Sequence, residues 1–485
     1  DVDYTIIKSR DLTDYVLSQT IMLDPSRKFY VPDQVLEVTM AIKANDVPAL
    51  GYVQYSIDTQ KDSHKETADK KVLENKYYTI EVEENGSLTI VDKANNVTYK
   101  NQGILVENGD DGDSFNYSPP RKDMEVFSNE SKCTVKISGS DIYDQAEIHF
   151  DMVVPADLDE RAEGKVSVTM LVDMTVALRK DSKVIDFNVK VDNKGLSHRL
   201  CVLFDSQIVS AFNYADQQFG LIKRPNYYEK EMKLYMESMN NKTEKKAGIQ
   251  ELANWANDQS TWQEPPISIE PTQSYVSLTD GKTGIAVIPQ GVREYEVLDD
   301  SKIRLTLFRT YGFMGKENLI YRPGRASGER IIETPAAQLL KEMEFNFGFT
   351  SYAGDINDSD IDTLAKQYNT NLEVYTYAEF LNGRLIFSQR EIEGQNAKIH
   401  SLFETEGNLV VSAVKKAEED DGYIIRLYNG KDHKDLDDKI KFNFDIKEAY
   451  YTNLKEEKTE EIKVENNTIS VKELSHCKFV TIWVK

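Results

Sequence analysis

Tyr78-Thr-Ile-Glu-Val82 and Leu88-Thr-Ile-Val91, joined across Asn85-Gly86, decide the fold reading. Apolar and polar residues alternate in both runs, as in a strand with one buried face. Asn-Gly is the favoured pair for a two-residue hairpin turn. The pattern then recurs. Val166–Leu178 and Val184–Val191 flank Arg179-Lys-Asp-Ser182, a second hairpin. His198–Ile208, Ser274–Leu278, Gly284–Ile288, Tyr295–Leu298, Ile303–Arg309 and Lys341–Phe349 continue it. Many strands, short turns and few helical periods predict a large antiparallel sandwich over residues 61–350. Between Asn226 and Gln263 the composition shifts to Glu, Lys, Met, Asn and Gln, an excursion with a short helix that ends near Trp255 and Trp262.

Two smaller units flank this region. Leu36-Glu-Val-Thr-Met-Ala-Ile42 alternates over one strand length, and Pro48 and Gly51 break the run before Tyr52–Ile57. Residues 1–60 read as a small β-sandwich incomplete at its start, followed by a polar linker from Asp58 to Lys71. In residues 351–485, Ile361, Leu364, Ala365 and Tyr368 have helical spacing, with Ser359 or Asp358 as cap. Strands follow at Leu409–Val414, Tyr423–Tyr428, Ile440–Ile446 and Val480–Val484, with a hairpin across Asn466-Asn467. No repeat of about 20–50 residues occurs, which excludes propellers and solenoids. The predicted class is all-β: a large antiparallel super-sandwich flanked by two smaller β-sandwich units.

The chain has 485 residues, 40% hydrophobic and 29% charged, and a net charge of −23. A chain this acidic is not built to bind nucleic acid or an anionic membrane, since phosphates are held by Lys and Arg clusters. Cys133, Cys201 and Cys477 are scattered and odd in number, so neither a disulfide framework nor a thiolate zinc site is expected. A reducing, cytoplasmic compartment fits. No apolar run reaches the roughly 18 residues of a membrane helix, and no signal peptide opens the chain. The Asn-x-Ser/Thr sites at Asn85, Asn96 and Asn241 are then chance matches. The chain opens at Asp1, which reads as a processed chain or a piece of a longer one.

Gly109-Asp-Asp-Gly-Asp-Ser-Phe-Asn-Tyr-Ser-Pro-Pro120 is the candidate functional loop. Aromatic rings can cover the apolar face of a sugar while carboxylates accept hydroxyl protons. The same composition also makes an ordinary turn. Asp110-Asp-Gly-Asp113 lacks the spacing and closing Glu of a calcium loop. Nucleotide, serine-hydrolase and HExxH motifs are absent. The pair His433-Lys-Asp435 sits in a charged, solvated loop, and His149 is a structural residue on a strand face. Trp255 and Trp262 read as core, with a sugar platform as the alternative. Arg322 and Arg325, in a Pro-Gly loop, can clamp a ligand carboxylate or hydroxyls, or pair locally with Glu329 and Glu333.

Taken together these residues resemble glycoside hydrolase family 38, the α-mannosidases. Leu73–Val82 with Asn85-Gly-Ser-Leu88 and Val91-Asp-Lys93 is similar to the opening of that family's large β domain. Gly112-Asp-Ser-Phe-Asn-Tyr-Ser-Pro119, His198-Arg-Leu-Cys-Val-Leu-Phe204, Gly284-Ile-Ala-Val-Ile288 with Glu294-Tyr-Glu-Val297, and Leu305-Thr-Leu-Phe-Arg309 with Thr334-Pro-Ala-Ala-Gln338 follow in the family's order. The resemblance covers about residues 70–350 well, and the wording of the second motif is most similar to the bacterial branch that includes mannosylglycerate hydrolases.

The resemblance implies a galactose-mutarotase-like super-sandwich. It implies a zinc-dependent retaining α-mannosidase whose zinc and aspartate nucleophile lie on an N-terminal (β/α) barrel that this chain does not contain. The chain would then be the non-catalytic C-terminal half, with no catalytic residue, metal or cofactor of its own, and would meet its α-mannoside through the missing barrel. The motif loop would lend Phe115 to the pocket, with Asp113 and Tyr117 beside it and Arg322 and Arg325 as further contacts. Relatives often carry Tyr at the Phe115 position, so ring stacking is expected here and a hydroxyl contact is not. A homodimer is left open. The alternative is a free-standing carbohydrate-binding β-sandwich protein without hydrolase activity.

Overall fold

The computed structural model describes residues 2–23, 34–55, 68–241, 264–323, 331–375, 399–432 and 434–485. A ten-stranded antiparallel sheet is centred on Tyr143–Val154, Val168–Arg179, Ile185–Asp192, Glu342–Ala353 and Thr283–Gln290. Opposite it lie a six-stranded sheet, which includes Ile104–Gly109, His198–Asp205, Lys302–Arg309 and Glu294–Leu298, and a four-stranded sheet over residues 73–102. One apolar cluster joins side chains from all three sheets. Its origin is the period of two. Ala146, Ile148, Phe150 and Met152 alternate inward and sit opposite Val176, Met174, Val172 and Met170. Phe187, Phe204, Phe347 and Phe349 pack ring to ring at its centre. Burying each such side chain is worth about 1.5–3 kcal/mol. This is the expected super-sandwich.

The deciding hairpin forms, with a different turn. Gly86 N–H donates to Glu83 O at 2.9 Å and Gly86 has φ +80°. The loop is therefore three residues, Glu84-Asn85-Gly86, closed by a left-handed glycine, and not a two-residue Asn-Gly turn. A Cβ on Gly86 would stand 2.5 Å from the Phe150 ring. By contrast Asn466 and Asn467 both have positive φ (51° and 57°), the expected two-residue turn, with Thr468 N–H donating to Glu465 O at 3.0 Å.

The first unit differs from the expected sandwich. Its described residues form a two-stranded ladder, Tyr4–Asp11 with Leu36–Ile42, with a helix at Thr13–Leu23 between them. Gly51–Val53 pairs away from that ladder, with Ile399–Ser401. The C-terminal unit is a sandwich of three and five strands around Phe403, Ile425, Ile440, Phe442 and Ile482. Its leading helix, Ile361–Tyr368, forms as expected but packs Ile361 and Ala365 on Val184, Ile288 and Tyr352 of the large sandwich. Asp360 occupies the cap position without capping a backbone N–H, its carboxylate instead accepting from Lys183 at 2.6 Å, and the Ser359 hydroxyl accepts from Ile361 N–H at 3.4 Å. The excursion after Asn226 begins with the helix Glu229–Asn241, while Trp255, Trp262 and His433 lie outside the described residues. No helix among the described residues is long and apolar enough to cross a membrane.

The hairpin Phe212–Gln217/Gly220–Pro225 joins the large sandwich to the C-terminal one. Phe219 stacks on Phe479 and meets Tyr428 edge-on, and Leu221 N–H donates to Gly430 O at 3.0 Å. Lys431 reaches Asp362 at 2.5 Å, and the Tyr275 hydroxyl donates to the same carboxylate at 2.6 Å. Asp216 lies in this joint and accepts from the Ser274 hydroxyl at 2.6 Å. Elsewhere, His149 bridges Asp173 and Asp151 on an open sheet face, and the hydrogen bond to Asp173 holds its pKa above the ordinary value.

Burial pushes Asp216 up to about 6 from 3.8. A carboxyl raised on folding binds its proton more tightly in the native state than in the unfolded one. Its stabilising contribution is complete below pH 3.8 and is lost as pH rises through about 6. At about 1.4 kcal/mol per pKa unit the loss approaches 3 kcal/mol. Asp216→Asn is expected to flatten the fall in stability between about pH 4 and pH 7, as read from urea midpoints across that range. An unchanged pH profile would remove Asp216 as its source.

Candidate functional site

The Gly109–Pro120 loop leaves the six-stranded sheet at the end of Ile104–Gly109 and is fixed by two buried ion pairs. Arg309 forks onto Asp110 at 2.5 and 3.1 Å, and its Nη2 also donates to the carbonyls of Asp113 and Asn116, both at 2.9 Å. Asp113 is fully buried. Its carboxylate accepts from the N–H groups of Phe115 (2.9 Å), Asn116 (3.0 Å) and Lys316 (2.8 Å) and pairs with Arg322. Arg322 also holds Asn116 Oδ1 and donates to Lys316 O at 3.0 Å. Burial alone would raise the Asp113 pKa, but Arg322 and the backbone donors outweigh it and hold it below the ordinary value. For Asp110 burial wins over Arg309 and the shift is upward. Gly112 is the residue the turn requires, because a Cβ there would stand 2.0 Å from Asn116 O.

Beneath the loop lies a layer of buried charge. Glu107 receives Arg161 and, at 2.9 Å, His198 Nδ1. His198 Nε2 lies 2.8 Å from Asn193 Oδ1. Arg199 donates to Asn108 (2.9 Å) and Glu296 (2.8 Å), and Arg304 links Glu296 to Glu125. The Arg199 guanidinium lies 3.9 Å from the centre of the Tyr117 ring, whose hydroxyl accepts from Asn108 at 3.1 Å. Burial raises the Tyr117 pKa.

The structure therefore divides the expected ligand contacts. Phe115 is 58% exposed, the one large aromatic ring of the loop facing solvent. Asp113, Tyr117 and Arg322 are buried, with their polar groups turned to internal partners, so they shape the loop and offer a ligand no free charge. Arg325 lies outside the described residues. Asp111 is half-buried and paired with Lys316. Sequence reasoning passed over Arg309, Lys316, Asn116 and the charged layer. Arg309 was visible as the charged end of an apolar strand, but its partner Asp110 is remote in the chain. Among the described residues no group of three or more His, Cys, Asp or Glu is placed to hold a metal. A groove of about 620 Å³ bounded by Met124, Phe127, Asp151 and Val153 contains no residue of the loop. Alone, the loop is an exposed ring on a rigid mount, without an acid–base pair.

Residues 73–313 match the family model described as Glycosyl hydrolases family 38 C-terminal domain. Residues 408–481 match the one described as Glycosyl hydrolases family 38 C-terminal beta sandwich domain. The chain is 24% identical over 420 residues to a Halalkalibacterium halodurans protein named "Putative mannosylglycerate hydrolase", covering 82% of this chain and 40% of that protein. Two solved structures share the fold over the whole chain at 19% identity. One is a family 38 glycosyl hydrolase protein from Enterococcus faecalis (TM-score 0.69) and the other an alpha-mannosidase from E. faecalis V583 (TM-score 0.70). This chain covers 51% and 49% of those two chains, so it spans about half or less of these relatives. With both family 38 C-terminal domains matched in order along the sequence, the chain belongs to glycosyl hydrolase family 38, as its C-terminal β portion.

Proposed function

We propose that this chain is the non-catalytic C-terminal half of a zinc-dependent, retaining α-mannosidase, and that it lends Phe115 to a pocket completed by a catalytic portion outside it. The exposed Phe115 ring, on a loop locked by two buried ion pairs, is the observation that carries the reading. An aromatic face packs on the C–H face of a sugar, and a fixed mount spares the entropy of ordering it on binding. Family membership and the α-mannosidase among the structural relatives support the substrate class. Among the described residues no group of three or more His, Cys, Asp or Glu fits a zinc ion. The three free cysteines are compatible with a cytoplasmic enzyme. The second reading, a free-standing sugar-binding protein, predicts that the isolated chain retains mannosides.

Three outcomes test this reading. The 485-residue chain alone is expected to give no turnover of an aryl α-mannoside with or without zinc; zinc-dependent hydrolysis by it would overturn the assignment. In the longer enzyme, Phe115→Ala is expected to lower kcat/KM about tenfold while stability stays within about 0.5 kcal/mol. Asp113→Ala should lower kcat/KM as well, because it releases the Phe115 N–H, but it also strands a buried guanidinium and costs about 3–5 kcal/mol of stability. Kinetics unchanged in Phe115→Ala would take the ring out of the pocket.

A further inference from the structure

The ladder of Tyr4–Asp11 and Leu36–Ile42 carries an apolar face that is about half exposed along Leu36–Ile42. Leu36, Val38, Met40 and Ile42 alternate along one strand, so they share a side, and each is between 37% and 51% exposed. Ile6 lies opposite Met40 and Tyr4 opposite Ile42, and Ile7, the extra residue at the register shift, is also exposed. On the other side Thr5 is buried and its partner Ala41 half-buried, while Glu37 and Thr39 carry polar side chains to solvent. Lys43, just past the ladder, pairs with Asp181 of the large sandwich, which ties the ladder to the main body. An isolated pair of strands is marginal in water unless its apolar face is packed. A contiguous exposed apolar face on an otherwise acidic protein marks a place where something docks.

We propose that this face is the docking surface for the catalytic portion of the longer enzyme, the segment that would precede Asp1. The inference rests on the reading above that such a portion exists. This chain covers 51%, 49% and 40% of the relatives it matches. The ladder strand begins at Tyr4, so any preceding segment reaches the chain beside this face. Its partner would present a complementary apolar surface, and covering these side chains would supply the burial that the two strands lack.

Hydrogen exchange of Leu36–Ile42, measured in the 485-residue chain and in the longer protein, tests it. The expected result is at least about tenfold slower exchange of this strand in the longer protein. Met40→Lys in the longer protein should return its rate to that of the isolated chain and leave Val168–Arg179 unaffected. Equal exchange in the two proteins overturns the proposal. So does a concentration-dependent dimer of the isolated chain that Met40→Lys abolishes, since the occupant would then be a second copy. Turnover of an α-mannoside by the same longer sample reports separately on the functional reading: protection without turnover keeps the docking face and discards the activity.

Discussion

The charged layer where the loop leaves the six-stranded sheet is the constraint on which the site depends. Glu107, Arg161, His198, Arg199, Glu296 and Arg304 are all buried there, and the Asp110–Arg309 and Asp113–Arg322 pairs continue the layer into the loop. Each ion taken from water costs several kcal/mol, and the attraction of its partner offsets that cost only in good geometry with further hydrogen bonds. Such pairs add little net stability compared with an apolar core of the same volume. What they do is forbid alternatives, because any other loop arrangement would leave a charge buried without a partner. Asp113 illustrates this: three backbone N–H groups and a guanidinium converge on one carboxylate. A loop displaced by one residue would break all four contacts together.

The fold was legible because strand alternation is local. Tyr143–Val154 and Val168–Arg179 bury every second residue, and a period of two can be read without knowing the partner strand. Turn type was less legible. Asn85-Gly86 suggested two residues, but the side chain of Asn85 accepts from Ser87 and the left-handed glycine closes a longer loop. The extent of the first sheet was hidden for the same reason. Alternation in Leu36–Ile42 marks a strand, but only contacts show that among the described residues it pairs with Tyr4–Asp11 alone.

At the candidate site, sequence singled out the loop and Phe115, but not that Asp113, Tyr117 and Arg322 would be buried with internal partners. Asp113 and Arg322 looked like ligand contacts, since nothing local shows that two residues 209 apart in the chain pair with each other. Arg199 is harder still. It sits in an apolar run, His198-Arg-Leu-Cys-Val202, buried on both faces, where its charge gives no hint of Glu296 97 positions away. Ion pairs between remote residues carry no periodic signal, and so the mount of the site was invisible while its product, Phe115, was not.

That division sharpens the case for an incomplete site. Leaving a phenylalanine more than half exposed forgoes on the order of 1 kcal/mol of burial. Nearby, Tyr117 is folded inward onto Arg199 and Tyr321, so the loop can bury an aromatic ring when its backbone directs it there. Phe115 is held outward by the Asp113 carboxylate that accepts its own N–H. The loop therefore combines a costly buried mount with a ring denied burial. Stability alone explains neither feature. Both follow if the ring must stand at a fixed place for a surface supplied from outside the chain, because an aromatic contact misplaced by about 1 Å loses most of its value to catalysis.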